Sequence, residues 1–185
     1  GNLTGYETTQ NGFETQLIEP VLERTIAPGH RFYDFGKDAF GTLELEVLTE
    51  RFDTLIIHLG EKLNEDRLID RNPPGSVRYR KTELIADPNR KTYQLSLTPD
   101  ERNTGGMAVA LPDTFPVIMP FRYCEIESPD ASVEVLHIRQ KIYYHYFKED
   151  ASFFTSSDTV LNQVWELCKY SIRATSFTGL YIDGD

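Results

Sequence analysis

The sequence has few cysteines and fewer basic than acidic residues. Cys124 and Cys168 are its two cysteines in 185 residues, and no metal-type or redox-type spacing links them. Both are therefore expected to be buried free thiols. Lys and Arg number 19 against 29 Asp and Glu, which gives a formal net charge of −10. This charge disfavours nucleic acid as a partner, because phosphate binding requires clustered Lys and Arg.

The sequence also lacks long apolar runs and the motifs of several enzyme classes. No stretch reaches the apolar length of a membrane span, so no membrane partner is expected. The opening "GNLTGYETTQ" has neither the basic nor the apolar region of a signal peptide. G-x-S-x-G, G-x-G-x-x-G and G-x-x-x-x-G-K are all missing, which removes the motif evidence for hydrolase-elbow, dinucleotide and P-loop chemistry.

Residues 32 to about 148 are predicted to form antiparallel strands. In "TLELEV", Leu43, Leu45 and Val47 alternate with two glutamates, which is typical of a half-buried strand. The prolines in "FPVIMPFRYCEIE" indicate an edge strand or a strand interrupted at a bend. The run "SVEVLHIRQKIYYHYF" is apolar or aromatic on both faces, which predicts a strand covered on both sides.

The hydrophobic period changes near residue 155. "TSSDTVLNQVWELCKYSIRATS" carries the i, i+3, i+4, i+7 stripe of an amphipathic helix, with Ser156, Ser157 and Asp158 as N-cap candidates. No earlier segment offers a second helix to cover that stripe. We therefore expect a lead-in segment (1–30), a β-sandwich of jelly-roll, concanavalin-like or galactose-binding-like type (31–150), and a C-terminal helix that begins another domain (151–185).

Histidines and acidic residues are scattered rather than grouped. The four histidines show no ligand spacing, and His58 and His137 are expected to be satisfied by hydrogen bonds in the core or an interface. In "EKLNEDRLID", the spacing of Asn64, Glu65, Asp66 and Asp70 fits no EF-hand, so a solvated loop is favoured over a calcium loop. No metal site and no cofactor are predicted.

Aromatic residues are concentrated near the expected domain boundary. Such side chains can stack on sugar rings as in a lectin, or they can fill a seam between domains, and the adjacent helix favours the seam. The cluster consists of Tyr143, Tyr144, Tyr146, Phe147, Phe153 and Phe154.

The last residues, "FTGLYIDGD", place Asp183 and Asp185 on either side of a glycine. Two carboxylates after an apolar run suit acid-base chemistry, metal binding or an exposed turn. Asp-Gly is a common turn dipeptide, so the spacing alone favours the turn.

Several stretches taken in order resemble bacterial α-L-rhamnosidases of glycoside hydrolase family 78. "FYDFGKDAFGTLELEV", "LIIHLGEKLNEDRLI" and "VRYRKTELI" are similar to the β-sandwich domain that precedes the catalytic barrel of that family. "FFTSSDTVLNQVWELCKYSIRATSFTGLYIDGD" resembles the passage into the (α/α)6 barrel and its first acidic loop. Asp183 matches the leading aspartate of that loop, whereas Gly184-Asp185 depart from its pattern.

The resemblance implies the N-terminal part of an enzyme that hydrolyses terminal α-L-rhamnosides with inversion. Asp183 would have an electrostatic or substrate-binding role and Asp185 a substrate-binding role, with the general acid and base beyond residue 185. The implied partners are a carbohydrate substrate and the rest of the catalytic domain, and the chain alone is expected to be inactive. The compartment stays open between the bacterial periplasm or exterior and the cytoplasm. The alternative is a stand-alone carbohydrate-binding or adhesion module whose helix folds back on the sandwich.

Overall fold

A computed structural model of the chain describes residues 13–99, 115–145, 152–177 and 180–181. In chain order its strands are β1 (Phe13–Ile18), β2 (Leu22–Ala27), β3 (His30–Thr49), β4 (Asp53–Gly60), β5 (Tyr79–Ala86), β6 (Thr92–Gln94), β7 (Met119–Glu127) and β8 (Val133–His145). Helix α1 (Thr159–Thr175) and the short strands β9 (Ser176–Phe177) and β10 (Leu180–Tyr181) follow. The predicted fold class, a mainly antiparallel β-sandwich followed by one C-terminal helix, is confirmed.

Strand β3 belongs to both layers of the sandwich. Its first part pairs with β2 and β7, and its second part pairs with β6 and β8. The register with β7 shifts between Asp34 and Ala39, where Gly36 has φ +86°. A bulge of this kind bends a strand, and glycine adopts the positive φ without strain. The strands form one continuous sheet, β1-β8-β3-β7-β4-β5, with β2 and β6 also paired to β3. We assign β2, the first part of β3, β7, β4 and β5 to one layer, and β1, β8, the second part of β3 and β6 to the other.

The core lies between these layers. Leu43, Leu45 and Val47 are buried as the alternation predicts, whereas Glu44 and Glu46 lie on the other face and remain partly exposed. The three apolar side chains, Leu43, Leu45 and Val47, pack in one cluster with residues of β4, β7 and β8, among them Leu55, Ile57, Leu59, Cys124, Ile126 and Ile138.

Two strand predictions need correction. Strand β7 pairs with β3 on one side and with β4 on the other, so the edge-strand alternative is wrong. Strand β4 pairs only with Tyr123 to Glu127 of β7, so Pro120 has a strand neighbour on one side only, β3. Its missing backbone N–H is tolerated there as it would be on an edge strand. Strand β8 is not buried on both faces, since Val133 is buried while Glu134, its neighbour on the opposite face, is exposed.

The chain divides into two compact units. One is Gln16–Ile142, which holds the sandwich, and the other combines Gly1–Thr15 with Tyr143–Asp185. The described part of the second unit includes α1 and the hairpin of β9 and β10. The domain bounds near residues 30 and 150 stay predictions. No helix in the described ranges is long and apolar enough to cross a membrane.

Candidate functional site

Asp183 and Asp185, the two predicted site residues, lie outside the described residues. Their roles therefore stay predictions. The described chain leads toward them through α1, after which Leu180 pairs with Phe177 in the β9–β10 hairpin.

Helix α1 begins at a well-formed cap. The Asp158 carboxylate accepts hydrogen bonds from the backbone N–H of Val160 at 2.8 Å and of Leu161 at 3.4 Å. These bonds satisfy donors that the first helical turn leaves free. The side chain of Asn162 makes two further hydrogen bonds to the backbone of Ser156. It accepts from the Ser156 N–H and donates to the Ser156 carbonyl, both at 2.8 Å. Asp158 is thus the N-cap among the three predicted candidates.

The apolar stripe of α1 is largely uncovered within the described residues. Its exposed apolar side chains are Val160, Leu161, Val164, Leu167 and Ile172. Trp165 is half-buried and stacks at a tilt on Phe154, with 5.6 Å between ring centroids. The prediction that the stripe is only partly covered holds for this part of the chain.

The aromatic cluster is only partly described. Tyr143 is buried, Phe153 is exposed, and the Arg173 guanidinium lies 4.1 Å above the ring centre of Tyr144. Tyr146 and Phe147 lie outside the described residues. The choice between a domain seam and a sugar platform stays a prediction.

A group of titratable side chains lies on the outer face of the first sandwich layer. Strand β7 carries Glu125 and Glu127 between His30 on β3 and His58 on β4. His30 Nε2 lies 2.7 Å from Glu125 Oε1, and His58 Nε2 lies 3.1 Å from Glu127 Oε2. His58 is satisfied by hydrogen bonds, as predicted, and His137 pairs with Glu19 at 2.7 Å. We call the four-residue group on the outer face, His30, His58, Glu125 and Glu127, the His–Glu cluster.

Residues 61–78, which we call the covering loop, lie over the His–Glu cluster. Glu125 and His58 are 0% and 1% exposed although they are on the outer face of the sheet. The backbone N–H of Ile69 donates to Glu125 Oε2 at 2.6 Å. Arg71 Nη2 lies 3.6 Å from Glu125 Oε1 and 3.4 Å from Glu127 Oε1. The loop therefore supplies a backbone donor to the buried Glu125, and its Arg71 is a cation shared by Glu125 and the partly exposed Glu127.

The protonation state of the cluster follows from its contacts. Burial lowers the pKa of His58, so its imidazole is neutral at pH 7. Glu127 can only accept when ionised, so His58 Nε2 carries the proton and the hydroxyl of Tyr79, 2.8 Å from Nδ1, donates to that nitrogen. Burial acts to raise the pKa of Glu127, but the hydrogen bond from His58 and the positive charge nearby, including that of Arg71, outweigh burial and lower that pKa.

A carboxyl pair lies near the same layer, where β3 bulges. Burial and a hydrogen bond to Glu61 raise the pKa of Asp38 to about 8. The side chain of Asp38 is therefore mostly protonated at neutral pH. Protonation removes the repulsion between the carboxyl groups of Asp38 and Glu61. Neither the His–Glu cluster nor this pair was predicted, because their members are far apart in the sequence.

No metal centre is found in the part of the chain that the structure describes, where no group of three or more His, Cys, Asp or Glu side chains is arranged to hold an ion. In the acidic loop, Asn64 Oδ1 accepts the N–H groups of Asp66 and Leu68 at 3.0 Å each. Glu65 and Asp66 are exposed, which agrees with the solvated-loop prediction.

The two cysteines differ from each other. Both are free thiols, and Cys124 is buried as predicted. Burial raises its pKa well above the usual value, which makes it unreactive. The prediction for Cys168 is wrong, because that thiol is exposed on α1.

The described fold is also found in solved rhamnosidase structures. The α-L-rhamnosidase from Dictyoglumus thermophilum matches with a TM-score of 0.58 and 17% identity, over 86% of this chain and 16% of that one. A GH78 family rhamnosidase of Bacillus sp. GL1 matches with a TM-score of 0.56 and 20% identity, over 84% of this chain and 14% of that one. A Klebsiella oxytoca rhamnosidase with rhamnose bound matches with a TM-score of 0.58 and 15% identity, over 88% of this chain and 35% of that one.

These likenesses establish a shared fold. The resemblance seen in the sequence is confirmed at that level. This chain spans 14–35% of the length of the three rhamnosidases. No protein family profile and no curated protein sequence matches it.

Proposed function

We propose that the chain is the N-terminal accessory part of a glycoside hydrolase of the α-L-rhamnosidase type, family 78. It comprises the β-sandwich and the first helix of an (α/α)6 catalytic domain. The intact enzyme hydrolyses terminal α-L-rhamnosides, and this chain alone lacks the catalytic acid and base. The structural likeness supports this proposal, since it covers 84–88% of the chain, which is more than the sandwich unit contains.

The observation that carries the proposal is the exposure of the apolar stripe on α1. Val164 and Ile172 are 48% and 47% exposed, although a soluble helix normally buries such a stripe. In a helical barrel the stripe would pack on neighbouring helices, so the rest of the catalytic domain is the partner that this helix fits. The alternative, a stand-alone carbohydrate-binding or adhesion module whose helix folds back on the sandwich, is less favoured because the likeness to the rhamnosidases covers more of the chain than the sandwich unit.

The proposed chemistry uses carboxylates. An inverting glycosidase holds an acid and a base roughly 6.5–9.5 Å apart so that a water molecule fits between the base and the sugar. Asp183 would contribute one carboxylate that binds sugar hydroxyls or stabilises positive charge on the ring in the transition state, and Asp185 would contact substrate. The general acid and base would come from beyond residue 185.

An activity comparison tests the proposal. The 185-residue chain and the product of its entire reading frame are each incubated with an aryl α-L-rhamnoside. Only the longer product is expected to release the aryl alcohol, and arabinosides and glucosides serve as substrate controls. Hydrolysis by the 185-residue chain above the background of a catalytically inert protein, or none by the longer product, would contradict the proposal.

A further inference from the structure

The covering loop is held on the sheet mainly by polar contacts. Most residues from Glu61 to Arg78 are exposed or half-buried, and Ile69 alone among them is fully buried. Its side chain sits over Gly60, where the Cβ of any larger residue would come within 2.5 Å of Ile69 Cγ2, so that glycine makes room for it. A loop with one buried apolar side chain has little hydrophobic free energy to keep it closed.

The middle of the covering loop is bound to the sheet by two glutamates of β7, which accept a hydrogen bond and form ion pairs with loop residues. Glu125 accepts from the Ile69 N–H, and Arg71 lies between Glu125 and Glu127. The same carboxylates also accept from the sheet, Glu125 from His30 and Glu127 from His58. Charge-assisted hydrogen bonds of this kind are stronger than neutral ones, and a carboxylate that gains a proton loses that advantage.

The outer part of the loop adds one more link to the sheet. Arg24 of β2 donates to the backbone carbonyl of Arg67. The ends of the loop are joined to each other, since the N–H of Glu61 donates to the carbonyl of Arg78 at 3.3 Å and the N–H of Arg78 donates to the Glu61 carboxylate. The loop can therefore lift from the sheet while its ends stay together.

We propose that the covering loop is an acid-released lid, which Glu125 and Glu127 hold closed over the His–Glu cluster and which opens before the sandwich unfolds. Opening exposes the buried side chains of His58 and Glu125 and widens access to the partly exposed His30 and Glu127. The lid is independent of the proposed rhamnosidase activity, because every residue in it belongs to the sandwich.

Charged and titratable groups face the cluster from every surrounding element. They are Arg24 on β2, His30 on β3, His58 on β4, Tyr79 and Lys81 on β5, Glu125 and Glu127 on β7, and Asp70 and Arg71 in the loop. Lys81 is the strand partner of His58, and Asp70 accepts from the N–H of Asn72 within the loop. Of these groups, His58 and Glu127 have lowered pKa values in the closed state.

Both shifts favour opening in acid. An open loop lets His58 regain its ordinary pKa of 6.5, so the open state binds that proton first as the pH falls below 6.5. Glu127 behaves in the same way below its ordinary value of 4.5. Since the open state binds more protons in both ranges, closure is favoured at neutral pH and weakened in two steps toward pH 4.

Amide hydrogen exchange on the 185-residue chain tests the lid. With rates corrected for the intrinsic effect of pH, protection of the Ile69 amide and of residues 62–78 is expected to fall at least about tenfold between pH 7 and pH 4, a range that includes the ordinary pKa values of both His58 and Glu127. Strands β4 and β7 are expected to keep their protection over the same range. Unchanged loop protection, or loss of loop and sheet protection together, would overturn the proposal.

Two variants distinguish the specific role of Glu127 in holding the loop closed from a general effect of surface charge. Glu127→Gln keeps the size of the side chain but removes its charge, so loop protection at pH 7 is expected to fall about tenfold and to depend less on pH. Glu65→Gln, in the exposed turn of the same loop, is the matched control and is expected to behave as the original chain. Equal loop exchange in the two variants would refute the role of the glutamates.

Discussion

The guanidinium of Arg122 and the carboxylate of Asp34 form a two-pronged ion pair between the neighbouring strands β7 and β3. Arg122 Nε lies 2.8 Å from Oδ1 and Nη2 lies 2.9 Å from Oδ2. Asp34 Oδ1 also accepts from the N–H of Gly36 at 2.7 Å. One carboxylate therefore holds both the strand pairing and the bulge at which β3 changes layer.

Asp34→Asn is expected to lower the free energy of unfolding by about 1–3 kcal/mol, because it weakens charge-assisted bonds at a partly buried site. Urea unfolding at pH 7 measures the loss. Asp130→Asn is the control, since Asp130 and Arg51 form an exposed pair whose loss is expected to cost less than about 1 kcal/mol. Equal losses in the two variants would contradict the role given to Asp34.

The same pair predicts a dependence on pH. Burial alone would raise the pKa of Asp34, but the hydrogen bonds from Arg122 and Gly36 and the charge of Arg122 lower it below the ordinary 3.8. The stabilisation is therefore present above pH 3.8 and is lost as the pH falls through the lowered pKa.

Asp38 is expected to act in the opposite direction at higher pH. Its pKa is about 8 in the folded chain against an ordinary 3.8, so the folded state binds an extra proton between those values. Stability from this group therefore declines as the pH rises from about 4 to about 8. Asp38→Asn is expected to flatten the decline in urea unfolding measured at pH 5, 7 and 9. The exposed Asp66→Asn serves as the control, and an unchanged slope for Asp38→Asn would contradict the assignment.

The exposure of the apolar stripe on α1 predicts that a leucine-to-alanine change costs much less stability there than in the sandwich core. Leu45→Ala is expected to destabilise the chain by about 2–5 kcal/mol, because Leu45 is 1% exposed in the core. Leu167→Ala is expected to change stability by less than about 0.5 kcal/mol, because Leu167 on α1 is 64% exposed. Thermal or urea unfolding of both variants decides the matter. A loss of 2 kcal/mol or more for Leu167→Ala would place the helix in a packed core.

The proposed role of Asp183 predicts that Asp183→Asn lowers the activity of the product of the entire reading frame but leaves the stability of the 185-residue chain unchanged. Asp183→Asn in the product of the entire reading frame is expected to lower kcat/KM on its best rhamnoside by about two to three orders of magnitude, the cost typical of removing one preorganised electrostatic stabiliser from an enzyme. In the 185-residue chain the same change is expected to alter stability by less than about 0.5 kcal/mol. Near-normal kcat/KM would mean that Asp183-Gly184-Asp185 is only a turn.

Local patterns predicted the elements of this fold well. The alternation in "TLELEV" gave the buried face of β3, and the period near residue 155 gave α1, because both depend on neighbours within a few residues. The position of β7 was harder to predict. Proline statistics favour an edge, but Pro120 lies beyond the stretch that pairs with β4, and only the sheet register shows this.

The His–Glu cluster could not be predicted from spacing. His30 and Glu125 are 95 positions apart, and His58 and Glu127 are 69 apart, on three strands whose order is not sequential. Charged residues at alternate strand positions normally face solvent, so the pattern at Glu125 gave no sign that residues 61–78 bury it. Register and loop cover arise from tertiary packing, which a single sequence does not show.

The stereochemistry of hydrolysis tests the central claim most directly. The product of the entire reading frame is mixed with an aryl α-L-rhamnoside, and the first sugar released is followed by proton NMR before its anomers equilibrate. The proposed inverting enzyme predicts that β-L-rhamnose appears first and the α-anomer later by mutarotation. Release of α-L-rhamnose first, or no release of rhamnose at all, would contradict the account.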